Sequence, residues 1–230
     1  ATTQAEPAKT KTGPELLPAF STAASLKENF SCYGGPFSSY DSWMAMLSSK
    51  PKFNAAAFEK QFPRVVVETR QQNIDCRIFV YESDGILVEG VMLQPKAAAQ
   101  NNQKLPVIIY NRGGNAKLSR INFGAIQQNL MPLAEQGHIV IASQYRGAAV
   151  LSRSASRDIT LDEYGGADVN DVVNLFPLIA GMATADSKRV AMIGVSRGSI
   201  MSYLAAVQMP QLKALVIKSG GSDLEVALQT

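Results

Sequence analysis

The chain has 230 residues, with 46% apolar and 18% charged side chains and a formal net charge of +3. These values are typical of a folded globular protein and exclude a disordered chain. Lysine and arginine form no dense cluster, and no apolar run reaches the roughly 18 to 20 residues of a membrane span, so we expect neither nucleic-acid binding nor a membrane span. The one histidine, His138, excludes a polyhistidine metal site.

The first residue and the two cysteines bear on the compartment in which the protein works. The chain starts with Ala1 and not with methionine, which fits either a removed signal peptide or a shortened sequence. Cys32 and Cys76 either pair, as in an oxidising compartment, or remain two thiols. We therefore expect a periplasmic or secreted protein. The sequence has no CxxC or HExxH pattern and predicts no metal and no cofactor.

The first quarter of the chain is predicted to be mobile and then helical. Residues 1–15 are rich in Ala, Thr, Lys and Pro, and we expect them to be mobile. Residues 16–61 have a helical pattern, within which Asn54 is placed to cap a short helix. Phe53, just before this cap, is placed to pack on Phe58 as a hydrophobic staple.

Strand-like segments follow this helical region. Residues 64–69, 75–81 and 86–93 are rich in β-branched and aromatic side chains and predict three successive strands. The Ser-Asp-Gly sequence at 83–85 predicts the turn between the last two.

From residue 105 onward, short apolar segments alternate with helical patterns. Strands are predicted at 105–110, 138–143, 189–193 and 212–217, and helices at 123–136, 162–180 and 198–208. Nearly continuous apolar strands separated by helices indicate a mostly parallel sheet with helices on both faces, which is an α/β fold.

The sequence Gly194-Val195-Ser196-Arg197-Gly198 has the form GxSxG and lies between a predicted strand and a predicted helix. In this setting a sharp turn holds the serine in a strained conformation with positive φ, and glycine is needed at Gly194 and Gly198 to avoid collisions. Ser196 is therefore a candidate nucleophile at the carboxyl edge of the sheet. The alternative is a glycine-rich turn without a catalytic role.

A serine nucleophile also needs donors for the developing oxyanion. One candidate is the backbone N–H of Arg197, which follows the serine. The second is expected in the loop Asn111-Arg112-Gly113-Gly114-Asn115, at the backbone of Arg112 or Gly113, because paired glycines let backbone N–H groups approach a ligand closely. The alternative is an ordinary turn from strand to helix.

Five segments in this order make the chain similar to a known family: YNRGGN, SQYRG, DEYGGADVNDVVNLFPLI, RVAMIGVSRGSIMSYLAA and LKALVIKSGG. Over residues 75–223 the chain resembles the α/β-hydrolase domain of the prolyl oligopeptidase family, on its dipeptidyl-aminopeptidase and acylaminoacyl-peptidase side. The resemblance implies Ser196 as the nucleophile and the backbone of Arg197, with that of Arg112 or Gly113, as oxyanion donors.

The resemblance also implies that residues 145–147 (Tyr-Arg-Gly) and Asp168 are mainly structural and order loops beside the site. Residues 1–63 are far too short for the β-propeller of that family. We expect them to brace the domain rather than to cap the site.

The base of the expected triad has no counterpart in the sequence. In this fold the acid and the histidine follow the serine along the chain, but no histidine follows Ser196. His138 starts a predicted strand and would lie roughly 15–20 Å from the hydroxyl. Asp223, near the end of the last predicted strand, is interpreted as a loop residue. The chain is therefore a fragment, an inactive relative, or a subunit whose partner completes the site; we favour the fragment.

The sequence thus predicts an N-terminal extension at 1–63 and an α/β-hydrolase domain at 64–230 that lacks its last strands. The predicted function is cleavage of an amide or ester bond in a small peptide or ester through an acyl-enzyme on Ser196, with a further chain or segment supplying the Asp and His. A carboxylesterase acting on a small acyl substrate and a catalytically inactive binding protein with the same fold are the alternatives.

Overall fold

The computed structural model of the chain describes residues 15–101 and 103–221. The predicted mobile N-terminal residues lie almost wholly outside these ranges, and Asp223 lies outside them as well. Within them the chain forms one seven-stranded sheet with the order β1-β2-β3-β5-β4-β6-β7. Its strands are β1 (Leu26–Ser31), β2 (Ile74–Ser83), β3 (Ile86–Pro95), β4 (Leu105–Asn111), β5 (Ile139–Ser143), β6 (Ala185–Val195) and β7 (Leu212–Lys218).

The helices lie between these strands and cover both faces of the sheet. They are α1 (Tyr40–Ser48), α2 (Ala55–Gln61), α3 (Arg64–Asn73), α4 (Lys96–Gln100), α5 (Phe123–Ala125), α6 (Met131–Glu135), α7 (Val169–Val173), α8 (Leu175–Ala180) and α9 (Arg197–Gln208), with a π-helical turn at Ile126–Leu130 joining α5 to α6. β5, β4, β6 and β7 run parallel, whereas β1, β2 and β3 are antiparallel to their neighbours. The predicted α/β class is confirmed.

The predicted helical region at 16–61 is wrong in part, because Leu26–Ser31 forms the edge strand β1. Its sequence, LKENFS, contains good helix formers. As a strand, however, this segment pairs antiparallel with β2 and forms hydrogen bonds with backbone groups of β2 that would lack a partner if the segment were a helix. The capped helix in the same region is confirmed as α2. Its Asn54 side chain accepts a hydrogen bond from the N–H of Ala57 at 2.9 Å.

The strand predicted at 64–69 is also wrong, since these residues belong to helix α3. Three consecutive valines favour a strand locally, but this preference depends on how much of their surface is buried. Here only Val67 is buried and Val65 is 71% exposed. Arg70 lies in the last turn of the helix, where its guanidinium pairs with the carboxylate of Glu135 on α6 at 2.9 Å.

The helix predicted at 162–180 begins later than expected and is interrupted. Residues 162–168 form a loop, α7 starts at Val169, and Asn174 separates α7 from α8. The loop contains the pair Gly165-Gly166, which weakens a helix, and its two aspartates, Asp162 and Asp168, pair with Arg197 of α9. Tertiary ion pairs therefore decide the local conformation here.

Two apolar clusters hold the helices against the sheet. On one face, α7, α8 and α9 pack against side chains that include Val107, Ile109 and Met192. On the other face, α1, α2 and the π-helical turn with its flanking helices pack against side chains that include Tyr110 and Val140. Because strands β4 and β5 are covered on both faces, their side chains are apolar at nearly every position, as the sequence indicates, whereas one face of β6 is only partly covered.

The outer edge of the sheet at β7 is open. Within the described residues β7 pairs only with β6, and Val216 in its centre is 54% exposed. The face of the sheet beside it holds a shallow apolar cavity of about 280 Å³ between β4, β6 and β7. An unpaired apolar edge readily accepts another strand.

Cys32 and Cys76 form a disulfide that ties the end of β1 to β2. The N–H of Cys32 also donates a hydrogen bond to the carbonyl of Cys76 at 3.0 Å. Of the two possibilities that the sequence left open, the paired state is the one observed. The bond closes a loop with a sequence separation of 44 residues, which includes α1, α2 and α3.

Replacing both cysteines (Cys32→Ala and Cys76→Ala) is expected to lower the free energy of unfolding by about 4 kcal/mol, because the unfolded chain regains the entropy of an open loop of this length. Urea denaturation of the oxidised protein and the double variant measures this difference. Adding a thiol reductant should bring the wild type to the midpoint of the variant and leave the variant unchanged. Equal midpoints for the oxidised wild type and the double variant would contradict the expectation.

Candidate active site

Ser196 lies at a sharp bend between β6 and α9. Its backbone has φ 53° and ψ −121°, a conformation that is strained for a residue with a side chain. Its N–H donates a hydrogen bond to the carbonyl of Lys218 in β7 at 2.9 Å, which anchors the bend to the neighbouring strand. The side chain is exposed at the carboxyl edge of the parallel strands. The conformation expected from the GxSxG pattern is present.

The two glycines of the motif have no room for a side chain. A Cβ atom on Gly194 would lie 2.5 Å from the carbonyl oxygen of Gly198, and one on Gly198 would overlap the carbonyl of Asn111. These contacts are with backbone atoms, which have little freedom to move. The motif therefore brings the start of α9 directly against the end of β4.

The glycine-rich loop after β4 lies beside the serine, as the sequence predicts. A Cβ atom on Gly113 would lie 3.1 Å from Cβ of Ser196 and 3.8 Å from its Oγ. Arg197 occupies the first position of α9, where a backbone N–H has no partner within the helix. The structure thus brings together Ser196, Gly113 and the N–H of Arg197.

A buried amide that the sequence reasoning did not single out connects β4 to α9. The Nδ2 group of Asn111 donates a hydrogen bond to Oγ of Ser202 at 2.8 Å, and this hydroxyl donates to the carbonyl of Gly198 at 2.7 Å. A polar residue at the end of an apolar strand was the signal in the sequence. The link helps to keep the strand and the helix in contact.

The side chain of Arg197 is fully buried and forms ion pairs with two carboxylates. It pairs with Asp168, as the resemblance implied for a structural residue, and with Asp162 at 2.5 Å. It also donates a hydrogen bond to the carbonyl of Gly114 in the glycine-rich loop at 3.2 Å. The role of Asp162 was missed, because no spacing rule connects it to a residue 35 positions later.

The pKa of Asp162 is lower than that of an ordinary aspartate. Burial alone raises this pKa, but hydrogen bonds from the Arg197 side chain and from the N–H of Ala116 outweigh the burial. Asp162 therefore stays ionised at neutral pH. Its contribution to stability is present above the ordinary pKa of aspartate and is lost as the pH falls through the lowered value.

Arg112 holds the curvature of the glycine-rich loop with its side chain. The guanidinium donates hydrogen bonds to the carbonyls of Gln144, Gly113 and Asn115, at 3.1, 2.9 and 3.1 Å. Burial lowers the pKa of Arg112 to about 10, so that it still carries its charge at neutral pH. Because its N–H groups bind carbonyls of this loop and of Gln144, the side chain supports the conformation of the loop.

A second buried ion pair orders the segment that follows β5. Arg146 pairs with Asp171 of α7 at 2.8 Å and with Asp84 of the β2–β3 turn at 2.9 Å. Its backbone N–H also donates to Asp171, at 2.7 Å. These contacts agree with the structural role expected for residues 145–147.

The structure does not bring His138 to Ser196. His138 precedes β5, and its Nδ1 lies 3.2 Å from the carbonyl of Leu133. It lines the cavity at the amino ends of β4 and β6, opposite the edge that carries Ser196. The separation is roughly 20 Å over six strand residues. His138 is therefore not placed to act as the base.

Neither a metal site nor a membrane helix is found in the part of the chain that the structure describes. Residues 15–101 and 103–221 contain no group of three or more His, Cys, Asp or Glu side chains suited to a metal ion. No helix among these residues combines the length and the apolar character that crossing a bilayer requires.

Comparison with known proteins agrees with this geometry. Residues 125–229 match the model of the prolyl oligopeptidase family, peptidase family S9. Over 166 residues the chain is 28% identical to an uncharacterised peptidase, YtmA, of Bacillus subtilis, and over 147 residues it is 29% identical to dipeptidyl-peptidase 5 of Porphyromonas gingivalis. The resemblance to this family is thereby confirmed.

Solved structures confirm the fold. The chain matches a dipeptidyl aminopeptidase IV homologue of Bacteroides ovatus with a TM-score of 0.54 at 21% identity, over 66% of this chain and 22% of the other. An acylaminoacyl peptidase of Pyrococcus horikoshii gives 0.52 at 21% identity, over 75% and 26%. The esterase Est22 gives 0.50 at 20% identity, over 75% and 53%. The fold is that of the α/β-hydrolases.

The chain spans only part of these proteins. The matched region, 70% of this chain, corresponds to 59% of the Bacillus peptidase, and 64% of this chain corresponds to 21% of dipeptidyl-peptidase 5.

Placing a methyl group at the contact between α9 and β4 tests how tightly the bend is packed. Gly198→Ala is expected to lower the free energy of unfolding by about 1–3 kcal/mol, although alanine in a helix is otherwise favourable, because its Cβ overlaps the Asn111 carbonyl. Gly34→Ala is the matched control, since its Cβ would make only an ordinary contact at 3.5 Å. Urea denaturation compares the two, and an unchanged or raised stability for Gly198→Ala would contradict the packing described.

Removing the charge of Asp168 tests the ion pair beside the bend. Asp168→Asn is expected to lower the free energy of unfolding by about 3–5 kcal/mol, because it leaves the buried Arg197 with less compensation. Asp186→Asn breaks a pair with the largely exposed Arg189, and it should lower the free energy of unfolding far less than Asp168→Asn does. Denaturation at neutral pH measures both. Equal small losses would show that the buried pair does not stabilise the fold.

Proposed function

We propose that the protein is a serine hydrolase that cleaves an amide or ester bond through an acyl-enzyme on Ser196. The observation that supports this most directly is the exposed serine at positive φ, with Gly113 and the first N–H of α9 beside it. This is the arrangement in which a hydroxyl and two oxyanion donors reach one carbonyl group.

In the proposed reaction Oγ of Ser196 attacks the substrate carbonyl carbon while a base removes its proton. The oxyanion of the tetrahedral intermediate accepts hydrogen bonds from the N–H groups of Arg197 and of Gly113 or Arg112. The leaving group departs with the transferred proton, and water then hydrolyses the acyl-enzyme by the same route. The amino end of α9, with its partial positive charge, stabilises the oxyanion further.

The substrate is proposed to be a small peptide, with an ester as the alternative. The match to the prolyl oligopeptidase family and the peptidases among its relatives favour an amide bond. The alternative, a carboxylesterase on a small acyl substrate, is suggested by the likeness to Est22, which concerns the fold alone. A catalytically inactive binding protein is the remaining hypothesis.

The acid and the base are proposed to come from polypeptide outside the described residues, either a further segment of the chain or another chain. His138, the one histidine of the sequence, lies at the wrong edge of the sheet. The outer edge of β7, which has no partner strand among the described residues, offers backbone groups on which an additional strand would lie close to Ser196. The order Ser, Asp, His along hydrolase chains agrees with this position.

We also propose that the protein works in the periplasm or outside the cell. The buried disulfide between Cys32 and Cys76 supports this, because such bonds persist mainly in oxidising compartments.

A fluorophosphonate probe tests the nucleophile in the natural mature protein, whose mass is measured first. We expect one covalent adduct on Ser196 and none in Ser196→Ala, because the probe phosphonylates an activated serine. Ser199→Ala is the matched control and should label normally, since its hydroxyl is buried against the carbonyl of Gly194. A natural protein that stays unlabelled would remove the enzyme hypothesis and favour the binding protein. Rates on matched peptide and ester substrates then separate the two chemistries.

A further inference from the structure

Tyr145 occupies an unusual position beside the candidate site. It lies two residues after β5, is 1% exposed and has φ 63°, a conformation that is strained for a bulky residue. Its N–H donates a hydrogen bond to Oγ of Ser143 at 2.9 Å, and Ser143 in turn accepts one from the hydroxyl of Tyr81 at 2.8 Å. The surrounding structure thus holds a strained tyrosine in one orientation.

The ring of Tyr145 contacts both arginines of the candidate site. The guanidinium carbon of Arg112 lies 4.7 Å from the ring centroid and that of Arg197 lies 5.1 Å from it. Both distances are within the range of cation–π attraction. One aromatic ring therefore connects the glycine-rich loop with the residue that follows the serine.

The hydroxyl of Tyr145 acts on the backbone of the same loop. It donates a hydrogen bond to the carbonyl of Arg112 at 3.0 Å. This carbonyl and the N–H of Gly113 belong to one planar peptide group, and no cis peptide bond is found among the described residues. In a trans peptide group the C=O and N–H bonds point in opposite directions, so a bond that fixes the carbonyl also fixes the N–H.

We propose that Tyr145 is a positioning residue that orients the N–H of Gly113 as the second oxyanion donor and links it to Arg197. This inference rests on the proposed hydrolase function. The hydroxyl of Tyr145 holds the Arg112 carbonyl on the buried side of the loop. The hydrogen bond also polarises the peptide group and strengthens its N–H as a donor. The ring keeps Arg112 and Arg197 in fixed relative positions.

Tyr145→Phe in the natural mature protein tests this role, because it removes the hydroxyl and keeps the ring. We expect kcat on the best substrate to fall roughly 10-fold with KM unchanged within about twofold, since a loosened donor weakens transition-state binding more than substrate binding. Labelling of Ser196 by the fluorophosphonate should slow by a similar factor.

Tyr40→Phe is the matched control. Tyr40 is also buried, its hydroxyl donates to the carbonyl of Phe62 at 2.9 Å, and the guanidinium of Arg64 lies 4.3 Å from its ring centroid. It belongs to α1, and its partners Phe58, Phe62 and Arg64 are not residues of the candidate site. We expect a comparable loss of stability with unchanged kcat. An equal kcat loss in both variants, or none in Tyr145→Phe, would overturn the proposal.

Amide hydrogen exchange separates this proposal from the proposed function. Exchange in the segment 111–116 should rise several-fold in Tyr145→Phe and remain at the wild-type rate in Tyr40→Phe. If the wild type neither labels nor hydrolyses any substrate, the hydrolase function is wrong, and the exchange data still decide whether Tyr145 holds the loop. Unchanged exchange at 111–116 would overturn the positioning role.

Discussion

The geometry around Ser196 depends on a buried cation. The guanidinium of Arg197 is removed from water next to the serine, at the start of α9, and among the described residues the carboxylates of Asp168 and Asp162 balance its charge. Burying an unpaired charge would be prohibitively unfavourable. Because Arg197 is buried, the loop at 162–168 must therefore lie against α9. That requirement explains why this segment is not the helix that its sequence suggests.

The same arginine connects the bend to the rest of the candidate site. Its side chain donates to the carbonyl of Gly114, and its backbone N–H is the first of α9. Tyr145 and Arg112 extend this unit to the loop after β4. A serine, two candidate donors and their supports thus form one packed group at the carboxyl edge of the sheet. Close packing of this kind restricts the movement of the groups involved, as preorganised oxyanion binding requires.

The open edge of the sheet indicates where a catalytic base from outside the described residues could bind. Strand β4 is buried on both faces, whereas β6 leaves Ala191 and Ile193 partly exposed on one face, and β7 exposes Val216 and one row of backbone groups. The candidate nucleophile and the candidate oxyanion donors therefore lie beside a sheet edge that has no partner strand among the described residues. The catalytic histidine and acid that we propose would enter the structure at this edge, next to the carboxyl end of β6.

Much of the architecture was determined by the sequence itself. Apolar strands, the turn at 83–85 and the glycines around Ser196 are local signals, because strand periodicity and the space at a tight bend are properties of neighbouring residues. Only the tertiary structure decided that residues 26–31 form a strand and residues 64–73 a helix. It also decided the late start of α7, the pairing of Cys32 with Cys76 and the partners of Arg197. Each depends on contacts between residues distant in the chain, whose energies exceed local propensities of less than 1 kcal/mol per residue.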